Sequence, residues 1–223
     1  MGTVIGDILP LALGIAISPV PIIAAILMLL SRKARLTGPG FLAGWVLGIV
    51  IAVTVFTLLS SVLPDQDATS PQPIKGVVQL LLGALLLVLA LRQWRGRPKA
   101  GDHPTLPKWM QAIDSISFAK ALGLGFLLSA VNPKNLLLAV SAGVTIGSAT
   151  LDGGSSALVI AVFTLIAAST VLVPVVGYLV AAEKLRGPLD ALHAWLAKEN
   201  AVIMAVLLLT MGVVVIGKGI GSF

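Results

Sequence analysis

A lysine follows an asparagine–proline pair inside a long apolar run, "LLSAVNPKNLLLAV" (127–140). Pro133 lacks a backbone N–H and clashes with the carbonyl four residues back. It also pushes Asn132 out of the helical region. In lipid the freed carbonyls need side chains, neighbouring helices or water, and Asn132 and Asn135 can supply part of that. Lys134 adds a cation ~20 Å along the helix from either end of its span. Snorkelling reaches only one side-chain length, so a charge there costs a few kcal/mol unless it is paired or hydrated. Three readings are open. Lys134 caps freed carbonyls and completes a kink. Or it faces a cavity, where it binds an anionic group or titrates during transport. Or the segment dips in and out and leaves Lys134 near an interface. Intramembrane ionisable groups are functional by default. The expectation is a hydrated or anion-facing Lys134, with Lys134→Met losing function and keeping the fold.

A second breaker lies in the first apolar segment, "SPVP" (18–21). Ser18, Pro19 and Pro21 loosen that helix and expose carbonyls without adding charge. This element is expected to face the Asn–Pro–Lys element across a pseudo-two-fold axis; the alternative is an ordinary proline kink. The candidate substrate-binding residues are therefore Ser18, Pro19, Pro21, Ser129, Asn132, Pro133, Lys134 and Asn135. A carboxylate to neutralise Lys134 is hard to find. Asp7 is nearest by composition, at the outer end of the first span.

Other chemistry is excluded by what the chain lacks. It has no cysteine, which removes disulfides and thiolate metal sites. His103 and His193 lie far apart in hydrophilic stretches, without metal-ligand spacing. No Ser-His-Asp set, carboxylate pair or metal cluster falls in or beside the apolar segments, so no enzyme, catalytic residue, metal or cofactor is expected. Without a membrane-embedded Asp or Glu, cation transport is disfavoured. No phosphate-binding G-x-x-x-x-G-K-[ST] loop occurs, so nucleotide hydrolysis is not expected either.

These residues need a membrane scaffold. Of 223 residues, 57% are hydrophobic and 11% charged, too few charges to make a soluble shell. The expected fold is an all-α integral membrane protein. Its six apolar segments are roughly 4–31, 38–63, 75–91, 118–147, 154–181 and 201–220. A span needs ~20 residues, so the third is short and the first and fourth are long. Segment 118–147 would reach ~45 Å as a straight helix, which points to breaks at the prolines. The N-terminus has Asp7 and no basic stretch, so it reads as the start of a span and not a cleaved signal.

Charge orients the segments. Twelve basic residues fall in three loops: Arg32, Lys33 and Arg35; Arg92, Arg95, Arg97, Lys99, Lys108 and Lys120; Lys184, Arg186 and Lys198. Only Lys75 and Lys218 fall on the other side. The positive-inside rule makes loops 31–38, 92–117 and 182–200 cytoplasmic and both termini external, as in a multi-pass protein of a bacterial inner membrane. The formal charge of +6 is thus topological, and nucleic acid is not an expected partner. In 105–120, Trp109, Ile113, Ile116 and Lys120 recur at helical spacing. In 188–200, Leu189, Leu192 and Leu196 form a stripe beside Trp195. Both read as short interfacial helices, either anchors or docking elements.

The chain reads as doubled. "LGIAISPVPIIAAILML" (13–29) matches "LGFLLSAVNPKNLLLAV" (124–140) with one insertion, and each opens a three-span unit. An odd number of spans inverts the second unit, the plan of many secondary transporters. The units are 1–91 and 118–223, joined by the basic linker 92–117; the second interfacial helix lies near 188–199. Gly40, Gly44 and Gly48, and Gly143 with Gly147, are spaced by four. Such faces let helix backbones approach, within the bundle or between copies in a homo-oligomer.

At these residues the chain resembles the lysine-exporter (LysE) superfamily: six spans in two inverted triplets, a proline motif in the first and Asn–Pro–Lys in the fourth. The exporters' usual Pro-Gly-Pro is "PVP" here, with Val20 at the glycine. It is more similar to the GAP-like branch, the sulfolipid- and glycopeptidolipid-addressing proteins, in "ISPVPIIAAILMLLS" (17–31), "GPGFLAGW" (38–45) and "NPKNLLLAVSAG" (132–143). That resemblance implies a membrane transporter, or transport accessory, helping export a glycolipid to the cell envelope. The implied partners are membrane lipids or a glycolipid substrate, and a larger lipid transporter or synthesis complex. The alternatives are a LysE-type exporter of a small solute such as an amino acid, and a non-transporting subunit of a membrane complex.

Overall fold

The computed structural model describes residues 1–61, 73–96, 116–149 and 151–223, and its regular structure is entirely helical. The elements are α1 (Gly2–Ala16), α2 (Pro19–Leu30), α3 (Ala34–Ser61), α4 (Pro73–Arg95), α5 (Phe118–Phe126), a π-helical turn (Leu127–Val131), α6 (Pro133–Gly147) and α7 (Gly153–Ile220). Three of them, α3, α4 and α7, are long and apolar enough to cross a membrane. The count rises to five if each bent pair makes one span: α1 with α2, bent by 52°, and α5 through the π-turn with α6, bent by 61°. The bends fall at Ser18 and Asn132, each followed by proline at the first helical position of the next segment. There a missing N–H costs nothing and the fixed φ suits a helix start.

Two boundaries differ from expectation. The third segment is not short, because α4 runs 23 residues to Arg95. Its last turn carries Arg92 and Arg95, good helix formers whose stems can lie on apolar surface. The stretch 182–200 is helical throughout, beyond the helix expected at 188–199, so the fifth and sixth segments lie in one helical run made of two helices joined across a kink. Ala, Leu, Lys, Glu and Arg dominate that stretch and favour helix. Regular geometry is interrupted at Ala181 (φ −141°, ψ 53°). The chain then doubles back: Thr170 bonds the carbonyl of Ala16, and Met211 packs on Gly14. In a straight helix those contacts would lie ~60 Å apart. Within 188–200, Leu189 and Leu196 are buried while Leu192 and Trp195 are exposed, so the stripe splits between core and surface. The other expected interfacial helix lies mostly outside the described residues.

Glycines set how closely helices approach. Gly44 and Gly125 sit where α3 crosses α5. A Cβ on Gly44 would overlap the carbonyl oxygen of Leu122, and one on Gly125 would overlap that of Phe41. Gly143 and Gly147 meet Phe56, Thr57 and Ser60 of α3 in the same way. Both glycine faces are therefore used inside the chain. Phe41 and Trp45, fully buried and stacked with ring centroids 6.3 Å apart, fill the space beside the crossing. Large apolar side chains stand exposed along α4 and α7, among them Leu81, Leu85, Val173 and Val180. They form a surface suited to lipid.

Candidate functional site

The break at Ser18 leaves carbonyls of α1 to satisfy. Ser18 N–H turns back to the carbonyl of Ile15 at 3.2 Å, so the Gly14 carbonyl loses its usual intrahelical donor. Pro19 and Pro21 offer none. Two side chains from distant helices fill the gap. The Thr170 hydroxyl of α7 donates to Ala16 O, and the Lys134 ammonium donates to Gly14 O at 2.6 Å. Gly14 also lets Leu138 of α6 and Met211 of α7 pack directly over it. The two broken helices thus meet at Gly14 and Lys134.

The second break is satisfied locally. Asn132 caps α6, its Oδ1 accepting the Lys134 backbone N–H at 3.1 Å. The Asn135 amide donates to Leu128 O at 2.9 Å, and Asn132 N–H reaches Leu127 O in the π-type spacing. Ser129 Oγ donates to Phe126 O at 3.0 Å and lies against Gly48 of α3. Lys134 is only 3% exposed. No acid pairs with it among the described residues, because Asp7 is engaged elsewhere. The Asp7 carboxylate accepts Lys218 Nζ at 2.7 Å, tying the start of α1 to the end of α7. Lys134 does take a freed carbonyl, but one that belongs to the other broken helix and not to its own kink.

Beside this crossing lies a cleft of about 430 Å³. Its walls are Leu89, Arg92 and Gln93 of α4, Asn132, Pro133 and Lys134 at the break, and Met204 and Leu208 of α7. Arg92 and Pro133 are exposed, so the cleft reaches the protein surface. Of the eight candidate residues, Asn132, Pro133 and Lys134 line it. Asn135 and Ser129 support the break from behind. Ser18, Pro19 and Pro21 are buried in the first bend, with Ser18 Oγ unpartnered among the described residues. Sequence reasoning misses Gly14, Arg92, Gln93 and Thr170. Gly14 has a readable signal, lying four residues before Ser18 and just ahead of two prolines. Arg92 reads in the sequence only as loop charge, although Leu89, Arg92 and Gln93 share a helix face.

Comparison with known families supplies one match. The model of the sulfolipid-1-addressing protein (Sap) family fits residues 8–221. The chain belongs to the sulfolipid-1-addressing protein family. The match covers both breaks and all the walls of the cleft. Neither the curated proteins nor the solved structures contain a match.

Proposed function

We propose that this protein is a membrane transporter, or transport accessory, that helps export an anionic envelope lipid, with Lys134 at its binding site. The observation that carries this is the Lys134 ammonium. It is buried at the crossing of two broken helices, holds one carbonyl, and lines a cleft that reaches the surface. An ammonium has three donors; Gly14 takes one, and the others can serve a ligand. The name of the family points to a sulfolipid, which fits a cation-bearing cleft flanked by apolar surface.

The scaffold of this reading has six crossings: the bent pairs α1–α2 and α5–α6, then α3, α4 and the two limbs of α7 about Ala181. Each half then consists of a broken span followed by two continuous ones, as in inverted-repeat carriers. The basic loops face the cytoplasm under the positive-inside rule. The surface opening of the cleft favours a lipid over a small solute, since a headgroup can enter sideways while its chains stay in the bilayer. The test is native mass spectrometry of protein released from nanodiscs of its host's lipids. Wild type should retain an anionic lipid that Lys134→Met loses. Equal retention by both would refute a binding role for Lys134.

A further inference from the structure

The cleft holds a second cation, which the lipid reading leaves without a role. Building on that reading, we propose that Arg92 and Lys134 together form a site for a tetrahedral oxyanion, the sulfate or phosphate of a lipid headgroup. The two cations approach from different elements, Arg92 from the last turn of α4 and Lys134 from the first turn of α6. Among the described residues no acidic side chain lines the cleft, and neither cation has an ion pair. An anion entering the cleft would meet positive groups contributed by two different helices.

The remaining polar groups also suit an anion. Asn132 Oδ1 is occupied by the Lys134 N–H, so the group Asn132 can offer the cleft is its amide Nδ2, a donor. Gln93 offers another amide. Helix α6, 15 residues long, begins at Pro133 and presents its positive end. Arginine suits sulfate or phosphate as a planar fork while lysine acts as a point charge, so the pair grips one oxyanion from two directions. The apolar walls, Leu89, Met204 and Leu208, continue into the exposed Leu85, Val88 and Leu209 of α4 and α7. These give acyl chains a path to the bilayer.

The test uses phosphatidylcholine nanodiscs doped with equal amounts of a sulfated galactosylceramide, phosphatidic acid and neutral galactosylceramide. Lipid co-released with wild type, Arg92→Gln, Arg92→Lys and Lys134→Met is counted by native mass spectrometry. Wild type should favour the two oxyanion lipids over the neutral one. Arg92→Gln should lower that preference about tenfold to a hundredfold, the range of one charge-assisted contact; Arg92→Lys should restore part of it. Arg92 is exposed, and an unchanged melting temperature confirms that its variants fold. Wild-type preference in Arg92→Gln would overturn the two-cation site. If Lys134→Met still lost lipid in that case, the lipid reading would stand without it; if neither variant changed retention, both would fall. A parallel arm adds inorganic sulfate or phosphate to detergent-solubilised protein. Arg92-dependent thermal protection by the free ion, with no lipid preference in nanodiscs, would overturn the headgroup assignment in favour of a small anion.

Discussion

Replacing Lys134 by Met separates a structural cap from a ligand-binding cation, because the two roles predict opposite stability changes. Met is unbranched and of similar length, so it fills the site without a large cavity. Two terms then compete. Losing the ammonium leaves Gly14 O buried without its donor, a loss of about 1.5–3 kcal/mol for a hydrogen bond to a charged group. On the proposed mid-membrane placement, removing the charge gains about 2.5–3.5 kcal/mol on insertion scales. The net lies between about 2 kcal/mol of stabilisation and about 0.5 kcal/mol of loss. In a chain of 223 residues, 1 kcal/mol moves the midpoint by about 2–4 °C. Lys134→Met should therefore melt at the wild-type temperature or several degrees higher, while losing lipid. The assay is tryptophan-fluorescence melting in nanodiscs. Trp45, buried at the α3–α5 crossing, reports the core. A midpoint lowered by about 6 °C or more would show that the carbonyl contact outweighs the buried charge, and the reasoning from desolvation would be wrong.

Three further outcomes follow from geometry. Gly44→Ala drives a Cβ into the backbone of α5 and should cost about 1–3 kcal/mol through forced separation; Gly123→Ala, with nothing within 4 Å of its Cβ, should stabilise by about 0.5–1 kcal/mol, and detergent unfolding titrations compare the two. Thr170→Val strips the Ala16 carbonyl of its donor and should cost about 0.6–1.7 kcal/mol, the membrane range for such bonds, read in the same titration. Asp152 caps α7, and its carboxylate accepts the Ser155 hydroxyl at 2.6 Å and the Ser155 N–H at 2.9 Å. Those bonds, the hydroxyl's first, hold its pKa below the ordinary 3.8, so the stabilisation is present above 3.8 and fades as pH falls through the lowered folded value. Carboxyl NMR titration should find that lowered midpoint and a rise toward 3.8 in Ser155→Ala.

The breaks are legible in the sequence and their mutual contact is not. Proline chemistry is local, so Ser18–Pro19 and Asn132–Pro133 can be placed from the order of residues alone. What receives Lys134 depends on a residue 120 positions away, and Gly14 carries no side chain to advertise it. Composition makes Asp7 the natural partner, but the folded chain gives Asp7 to Lys218. The glycine faces are legible as close contacts because a spacing of four has one geometric meaning on a helix. Arg92 is hidden for the opposite reason. A basic residue at a span's end satisfies the topology rule so well that a second role leaves no trace in composition. The helix near 188–199 is legible in its leucine spacing, but its continuity with the segments on either side is hidden, because hydropathy breaks at the polar stretch 182–200.

The position of the cleft follows from side-chain size along one interface, that of α4 with the last limb of α7. At the end bearing Lys75 and Lys218, glycines face one another. A Cβ on Gly76 would come 3.0 Å from the carbonyl of Gly219, and one on Gly83 would come 3.0 Å from that of Gly212. The hydrogen bond from Ser222 to Gln79, 3.2 Å long, adds a cross-link there, and the Asp7–Lys218 pair ties the same end of α7 to α1. Further along α4 the glycines stop, and the small residue there is the buried Ala90. Leu89 and Arg92 then face Met204 and Leu208, side chains too large for the backbones to close. The proline at 133 meets the same level and bends α5–α6 by 61°. Close glycine contacts thus hold one end of this interface, while Leu89, Arg92, Met204 and Leu208 border a cleft at the other. The cleft therefore lies where glycine contacts give way to larger side chains and where the break at Pro133 meets them.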